Sequence, residues 1–564
     1  MTDRPPSIVS GPPLTEEPGV GALTLGGWLR EVTERYGPRE ALVLHEDGGT
    51  IRWTYDELWQ RANEVARALY ACGVGKGTRV GVLMTNRPEF LAAVFGTALA
   101  GGVVATMSTF STPAELDHLI RSSACSVLLL ERKVLKKDFA AIVTTLEPAV
   151  AEARPGAVAS TRFPFLRHVA SIGGGDGGIE DLSAFLARGD GVPQELIAAT
   201  AAAVSPADPG VLFFSSGSTA SPKAILSAHR GPTLQLWRWP QWYGVEGREP
   251  PRTWSANGFF WSGNFAMAMG GALSSGGSLV LQTTFQPEEA LRLIECERAS
   301  MVLAWPHQWE QLVAAPNWAS ADLSSLLYID RQSPIAQHPT VSTDWREPYA
   351  AYGNTETFTI SSIFPADTPE EVIAGSHGLP CHGNVFKVVE PLTGETVPLG
   401  ERGELAVKGP TLMLGYLGTP LEETLDANGF FRTGDGGWFD DEGRLHWEGR
   451  LNDIIKTGGA NVSPIEIDSI IKDHPAIKVV QTVGVPHETL GELVVTCIVA
   501  HDGATLDEDT VRSFAKEKLA SYKVPRRVLF FTESDLALTG SAKIKTADLR
   551  KLVGDRLAGE AAHA

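Results

Sequence analysis

The sequence predicts an α/β protein with a large N-terminal domain and a small α+β C-terminal domain, and three observations carry that prediction. Helical segments alternate with short Val, Leu and Ile runs through the first 400 residues, the pattern of parallel sheets covered by helices. From Val385 the texture changes to short strands joined by tight turns. Charge also divides the chain: from Leu451 onward there are 14 basic and 16 acidic residues, so nearly all of the net −19 carried by 564 residues belongs to the first 450. We therefore expect a disordered tail over residues 1–20 and an N-terminal domain over 21–450, built of two α/β subdomains and a β-rich subdomain. A C-terminal domain is expected over 451–564, within the usual size range of domains.

Taken in order, the first 20 residues combine prolines and acids without the apolar core of a signal peptide, hence the tail. Thr54-Tyr-Asp-Glu57 is a capping box, in which hydroxyl and carboxylate satisfy the first free N–H groups of a helix. Leu58, Val65 and Leu69 keep one helical face, and Gly73 is placed to end it. Arg79–Met84 reads as a buried strand. Phe90 to Met107 is long enough to raise a membrane span. Gly96, Gly101 and Gly102 interrupt it, however, and its flanks are periodic, so a buried helix followed by a core strand is expected. Val385–Val389, Gly403–Val407 and Arg444–Trp447 are strand-like. Ser463-Pro-Ile-Glu466 joins a capping box to a proline at the first helical position, which starts a helix to about Lys472. Two strand-like runs and a further helix follow, and no fixed-period repeat is visible.

Composition removes several functional classes. With 43% apolar and 20% charged residues, a core is not limiting. The acidic balance supplies no global field for neutralising phosphates, so no nucleic-acid partner is expected. Five widely spaced cysteines, without CxxC or Cys/His ligand spacing, argue against a disulfide framework or a zinc site and fit a reducing, cytoplasmic setting. Gly173-Gly-Gly-Asp-Gly-Gly178 satisfies GxGxxG after a strand-like Val169–Ile172, but its composition is that of a flexible turn rather than a dinucleotide site.

The most informative segment is Val211-Leu-Phe-Phe-Ser-Ser-Gly-Ser-Thr-Ala-Ser-Pro-Lys223. A buried strand feeds a loop whose N–H groups and hydroxyls can wrap phosphate oxygens, and Lys223 adds positive charge. It lacks the Gly-Lys-Ser/Thr of a Walker A loop and, around Ser216, the G-x-S-x-G of a hydrolase elbow. The segment resembles the phosphate-binding loop of the adenylate-forming superfamily, usually T-S-G-T-T-G-x-P-K-G. Tyr352-Gly-Asn-Thr-Glu356 resembles its Y-G-x-T-E, Thr433-Gly-Asp435 its T-G-D, and Gly449-Arg-Leu-Asn-Asp453 its G-R-x-[DK]-D hinge. Lys456–Glu466 continues that match, and Thr539-Gly-Ser-Ala-Lys-Ile544 resembles T-x-S-G-K-I. Six motifs in the family's order leave no room for coincidence.

The resemblance, to acyl-CoA synthetases in particular, implies activation of a carboxylic acid by ATP as an acyl-adenylate (acyl-AMP), then transfer to coenzyme A. It also implies a C-terminal domain that is mobile about a hinge at Asn452. It places Ser215, Ser216, Gly217, Ser218, Thr219 and Lys223 on the phosphates, and Ser333, Pro334, Tyr352, Gly353 and Asn354 along the nucleotide. Asp435 and Arg450 would hold the ribose, since a carboxylate accepts from both hydroxyls of a diol. Thr355 would donate to the α-phosphate, while Glu356, with Thr219, would hold Mg²⁺. Lys543 would neutralise charge as the carboxylate attacks. Lys456 belongs to the cofactor side, and Gly458 and Gly459 would line the pantetheine tunnel. Phe260, Trp261, Arg331 and Gln332 would contact the acid, with Trp261 gating its path. Lys516, Lys518, Lys523, Arg526 and Arg527 would suit the phosphates of CoA, a solvated helix face being the other reading.

Departures from the family pattern accompany these matches. Ala220 and Ala224 replace loop glycines, Asp330-Arg-Gln-Ser-Pro334 stands where S-G-G-A-P is usual, and Gly436, Asn452 and Ala542 also differ. A Cβ where the backbone needs positive φ costs about 1 kcal/mol, so a nucleotide site under altered constraint is expected. Thioesterification of a preformed acyl-adenylate, a non-catalytic binding role and a carrier-protein acceptor therefore stay open. Nine of the 14 tryptophans lie between Trp237 and Trp345, in the acyl region. That surplus points to an aromatic or polycyclic acid rather than acetate, core packing being the alternative. Nothing sets the oligomeric state, and a dimer is open.

Overall fold

The computed structural model describes residues 4–215, 222–451, 453, 455–457, 460–487, 490–519, 523–532, 535 and 546–563. They fall into two compact units: Ser10–Val385 with Lys408–Phe431, and Met1–Val9 with Phe386–Val407 and Arg432–Ala564. Residue 450 lies inside the second unit, which gathers β-rich strands together with everything beyond Leu451.

The larger unit is built on two sheets. Its eight-stranded sheet runs Ile179–Asp181, His168–Ile172, Val127–Glu131, Arg79–Leu83, Val103–Thr106, Pro209–Phe214, Ala224–Ala228, Gly415–Tyr416. The first six strands are parallel, and the last two are added antiparallel. A five-stranded sheet runs Met301–Leu303, Arg252–Ser255, Ser278–Leu281, Glu40–Glu46, Gly49–Thr54. One core joins Leu42, Leu44 and Leu279 of this sheet to Val80, Val82, Val104 and Val127 of the other, through the helices Leu25–Tyr36, Tyr55–Ala71, Pro88–Leu99 and Ser262–Leu273. Leu83, Leu128 and Leu130 face a second core with Leu116, Leu119 and Phe139, so the parallel strands are buried on both faces.

Local chemistry explains the elements. In the Thr54 capping box, Glu57 N–H donates to the Thr54 hydroxyl at 3.1 Å, and Thr54 N–H donates to the Glu57 carboxylate at 2.7 Å. The helix ends at Ala71, with Cys72 as its cap residue and Gly73 beyond. Phe90 to Met107 becomes a nearly wholly buried helix, Pro88–Leu99, and the core strand Val103–Thr106. Gly96 is needed inside that helix because a Cβ there would come within 2.6 Å of Val65 on the neighbouring helix. Among the described residues, no helix is long and apolar enough to cross a membrane.

The expected tail is corrected by the structure. Ile8–Ser10 is the edge strand of the second unit's first sheet, next to Val385–Val389. In the larger unit, Glu17 and Arg238 form a bidentate pair at 2.7 and 2.8 Å, with side chains 4% and 1% exposed. An acid of the segment that read as solvated, Glu17, instead pairs a buried guanidinium.

The second unit carries two sheets. The first continues through Gly403–Lys408, Phe431–Phe439 and Leu445–Arg450. The second runs Ala460–Val462, Ile455–Thr457, Gly491–Ala500, Ile477–His487, with Arg527–Phe530 also pairing Gly491–Ala500. Its helix Pro464–Lys472 starts as expected, but only the Ser463 half of the capping box forms; the Glu466 carboxylate turns to Lys523 at 2.6 and 2.7 Å instead.

Candidate active site

The proposed phosphate loop is the connection of an antiparallel hairpin. Phe214 and Ala224 are its last paired residues. Beyond them Ser215 N–H donates to Lys223 O at 3.0 Å and Lys223 N–H to Ser215 Oγ at 3.2 Å, so these two expected site residues close the loop's mouth. Ser216, Gly217, Ser218 and Thr219, with Ala220, lie outside the described residues. On the flanking helix Pro113–Ser123, His118 Nε2 lies 2.8 Å from Pro222 O. A carbonyl only accepts, so this nitrogen carries a proton. The strain expected at Ala224 is absent: the residue opens a strand and has no positive φ, so its Cβ costs nothing there.

Tyr352–Glu356 follows a short strand, Ala351–Tyr352, into a single 3₁₀ turn, Thr355–Thr357, capped by the Asn354 side chain. The chain then passes through left-handed Phe358 (φ 50°) and Thr359 (φ 77°). Such a bend persists only where its surroundings over-determine it. Here the buried Gln235 amide donates to Phe358 O and Ile360 O at 2.7 and 2.8 Å, and the Phe358 ring packs on Phe213 and Phe265. Gly353 is obligatory, since a Cβ would sit 1.6 Å from Thr359 O. The loop is held so that Thr355 and Glu356 stand at its tip.

A residue that sequence reasoning missed joins the two loops. Residues 410–417 run along the hairpin strand Ala224–Ala228, with Tyr416 paired to Ile225. Met413 N–H donates to Glu356 O at 2.7 Å, and the Tyr416 hydroxyl donates to Glu356 Oε1 at 2.7 Å. Lys223 Nζ lies over the Tyr416 ring, 4.7 Å from its centroid. A tyrosine after a glycine in a short apolar run carries no signal that separates this arrangement from core packing.

On the side expected to meet the acid, Phe260 and Trp261 are in edge contact at 4.9 Å. Phe110, 55% exposed and not anticipated, stacks on Trp261 at 5.8 Å and meets Phe260 edge-on at 5.7 Å. Its loop is clamped by Lys137, whose ammonium donates to the carbonyls of Thr109, Phe110 and Ser111 at 3.1, 2.8 and 2.9 Å. Burial pulls that ammonium's pKa down. Arg331 and Gln332 are exposed, and Asp330 organises their turn by accepting from Gln332 N–H and Glu347 N–H. Ser333 Oγ donates to Asp330 O at 2.6 Å, and Pro334 opens the next 3₁₀ turn. Of the nine tryptophans, Trp237, Trp239, Trp242, Trp254 and Trp345 are core side chains. The surplus is thus mostly structural.

In the second unit, Asp435 and Arg450 are cross-strand partners. Arg450 Nε lies 3.1 Å from Asp435 Oδ1, while its Nη1 donates to Thr433 O at 2.7 Å. Asp435 is buried, yet Arg450 is half exposed. Lys456 is exposed on Ile455–Thr457, its N–H donating to Glu492. Asn452, Gly458, Gly459 and Lys543 lie outside the described residues. The basic cluster is partly neutralised, Lys523 by Glu466, Lys518 by Asp473 and Arg527 by Glu508.

Glu356 fits a hard divalent cation: it is a half-buried carboxylate with one oxygen oriented by a phenol whose ring also meets the Lys223 ammonium. By contrast, the grouping His45, Cys296 and Glu297 is an ion-pair network, because Arg52 and Arg252 engage the Glu297 carboxylate at 2.5 and 2.8 Å.

Fold and motif series together are those of an adenylate-forming enzyme. The chain matches the AMP-binding enzyme family over residues 29–417 and the AMP-binding enzyme C-terminal domain over residues 466–543. An acyl-CoA ligase, SID4 of Ajellomyces capsulatus, is 30% identical, with 98% of this chain and 94% of that one covered. A feruloyl-CoA synthase from an Amycolatopsis species is also 30% identical, with coverage of 94% and 99%. The anthranilate CoA ligase AuaEII, solved with anthranoyl-AMP, shares the fold with a TM-score of 0.75 at 24% identity over 95% of this chain and 98% of that one. The chain belongs to the AMP-binding enzyme family.

Proposed function

We propose that the protein is an AMP-forming acyl-CoA ligase for a bulky, rigid carboxylic acid, aromatic or polycyclic. In the first step a carboxylate oxygen attacks the α-phosphorus of ATP and pyrophosphate leaves. In the second the CoA thiol attacks the acyl carbon and AMP leaves. The observation that carries this reading is the convergence of Lys223, at the mouth of the phosphate hairpin, and Glu356, at the tip of the Tyr352–Glu356 loop, on one tyrosine. Lys223 and Ser215 would take phosphate oxygens, Thr355 the α-phosphate, and Asp435 with Arg450 a ribose diol. Glu356 would hold Mg²⁺, which when bound shields the phosphate charge during attack. Lys543 would stabilise that attack from the motif it shares with the family.

The bulky acid rests on Phe110, Phe260 and Trp261, and on likeness to a feruloyl-CoA synthase. A ligase limited to preformed acyl-adenylates loses one of its supports, because Ala224 is unstrained. The test is a panel running from acetate to substituted benzoates, cinnamates and polycyclic acids, with pyrophosphate release and CoA-ester formation read separately. Turnover of the aromatic or polycyclic acids, at least tenfold above acetate in kcat/KM, is expected. A preference for acetate or short aliphatic acids would overturn the acid assignment.

A further inference from the structure

Lys223 and Glu356 carry opposite charges at adjacent loops, and opposite charges so placed attract each other toward a direct ion pair. Among the described residues, no ion pair joins them. Tyr416 stands in the way instead, with its ring under the Lys223 ammonium and its hydroxyl on the Glu356 carboxylate. We propose that Tyr416 is a spacer that keeps the ammonium and the carboxylate apart and aimed, so that ATP phosphates meet the first and Mg²⁺ the second. This rests on the assignment of Lys223 and Glu356 given above.

The backbone fixes the tyrosine from both sides. Its partner across the sheet is Ile225, and directly paired residues project to the same face. Lys223 lies two positions before Ile225, which returns its side chain to that face. At the other end, Met413 N–H on Glu356 O ties the same segment to the main chain of the carboxylate. Ring and hydroxyl therefore act at different points. The ring offers its negative face to the ammonium, a contact that phosphate oxygens can replace without loss of charge balance. The hydroxyl donates to one carboxylate oxygen and restricts how the group turns.

Equilibrium binding of ATP to the full chain, measured by calorimetry with EDTA and again with Mg²⁺, tests this directly. Tyr416→Phe keeps the ring, so metal-free binding stays within twofold of wild type while the tightening by Mg²⁺ falls several-fold. Tyr416→Leu lets Lys223 and Glu356 close on each other, and metal-free binding weakens about tenfold, the loss of one charge-assisted phosphate contact. Adding Glu356→Gln to Tyr416→Leu releases the lysine and returns metal-free binding to within threefold of wild type. A general loosening of the fold would not be repaired by that second change. Wild-type binding by Tyr416→Leu, or a loss that Glu356→Gln does not recover, would overturn the proposal. If Tyr416→Leu does not fold, Tyr416→Phe decides, and an undiminished effect of Mg²⁺ counts against it. Lys223→Ala separates the two layers. If it binds metal-free ATP like wild type, the phosphate assignment itself fails; if it weakens binding and the rescue is absent, only the spacer fails.

Discussion

Asp435 shows how much a single position depends on its partner. Buried on one strand, it faces Arg450 on the next, and the guanidinium also donates to Thr433 O. The pair presents a strong acceptor already oriented before any ligand arrives. Asp435→Ala is expected to raise the KM for ATP by tenfold or more, from the loss of hydrogen bonds to a charged acceptor worth about 1.5–3 kcal/mol, with the KM for the acid unchanged. Steady-state kinetics with each substrate varied in turn checks this. Such residues were legible in the sequence because they sit in ordered motifs. Tyr416 and Phe110 were not: Tyr416 reaches a partner 60 positions away, and Phe110 meets Phe260 and Trp261 from a distant loop. No local pattern of charge or period announces either contact.

At the scale of elements, what is local was readable and what is long-range was not. The Thr54 box and the proline start at Pro464 lie within a few residues of what they cap. The edge strand Ile8–Ser10 instead needs Val385–Val389 as its neighbour, and Glu17 needs Arg238, so the N-terminal segment read as a tail. Removing one partner of a buried ion pair leaves a charge without compensation. Glu17→Ala should therefore cost about 3–5 kcal/mol in denaturant unfolding. A second test concerns Asp468 on the helix Pro464–Lys472. Burial pushes its carboxyl up to about 7, and its Oδ1 is enclosed without a hydrogen-bond partner. The folded chain keeps a proton that the unfolded chain releases near pH 4, so stability falls as pH rises from about 4 to 7 and is level above. Asp468→Asn should remove that fall and raise the denaturation midpoint at pH 8, followed by thermal unfolding across the range.

For the molecule as a whole, the two compact units divide the motif series. The phosphate hairpin and the Tyr352–Glu356 loop belong to one, and the Asp435–Arg450 pair to the other. The acidity of the chain does not oppose the proposed polyanionic nucleotide, because the groups proposed to bind it are local: a lysine over a tyrosine, the Ser215 hydroxyl at the hairpin mouth, and the Glu356 carboxylate. The parallel sheet and its helices were predictable from apolar periodicity. The gathering of Phe386–Val407 with the C-terminal segment was not, since it depends on which strands finally pair. Whether this chain forms an acyl-adenylate itself is read most directly by acid-dependent exchange of pyrophosphate into ATP, which measures that step alone. Exchange is expected to require an aromatic or polycyclic carboxylate and Mg²⁺, and Lys543→Ala is expected to suppress it far more than it weakens ATP binding. Absence of exchange with every acid, alongside CoA-ester formation from a supplied acyl-adenylate, would contradict adenylation by this chain.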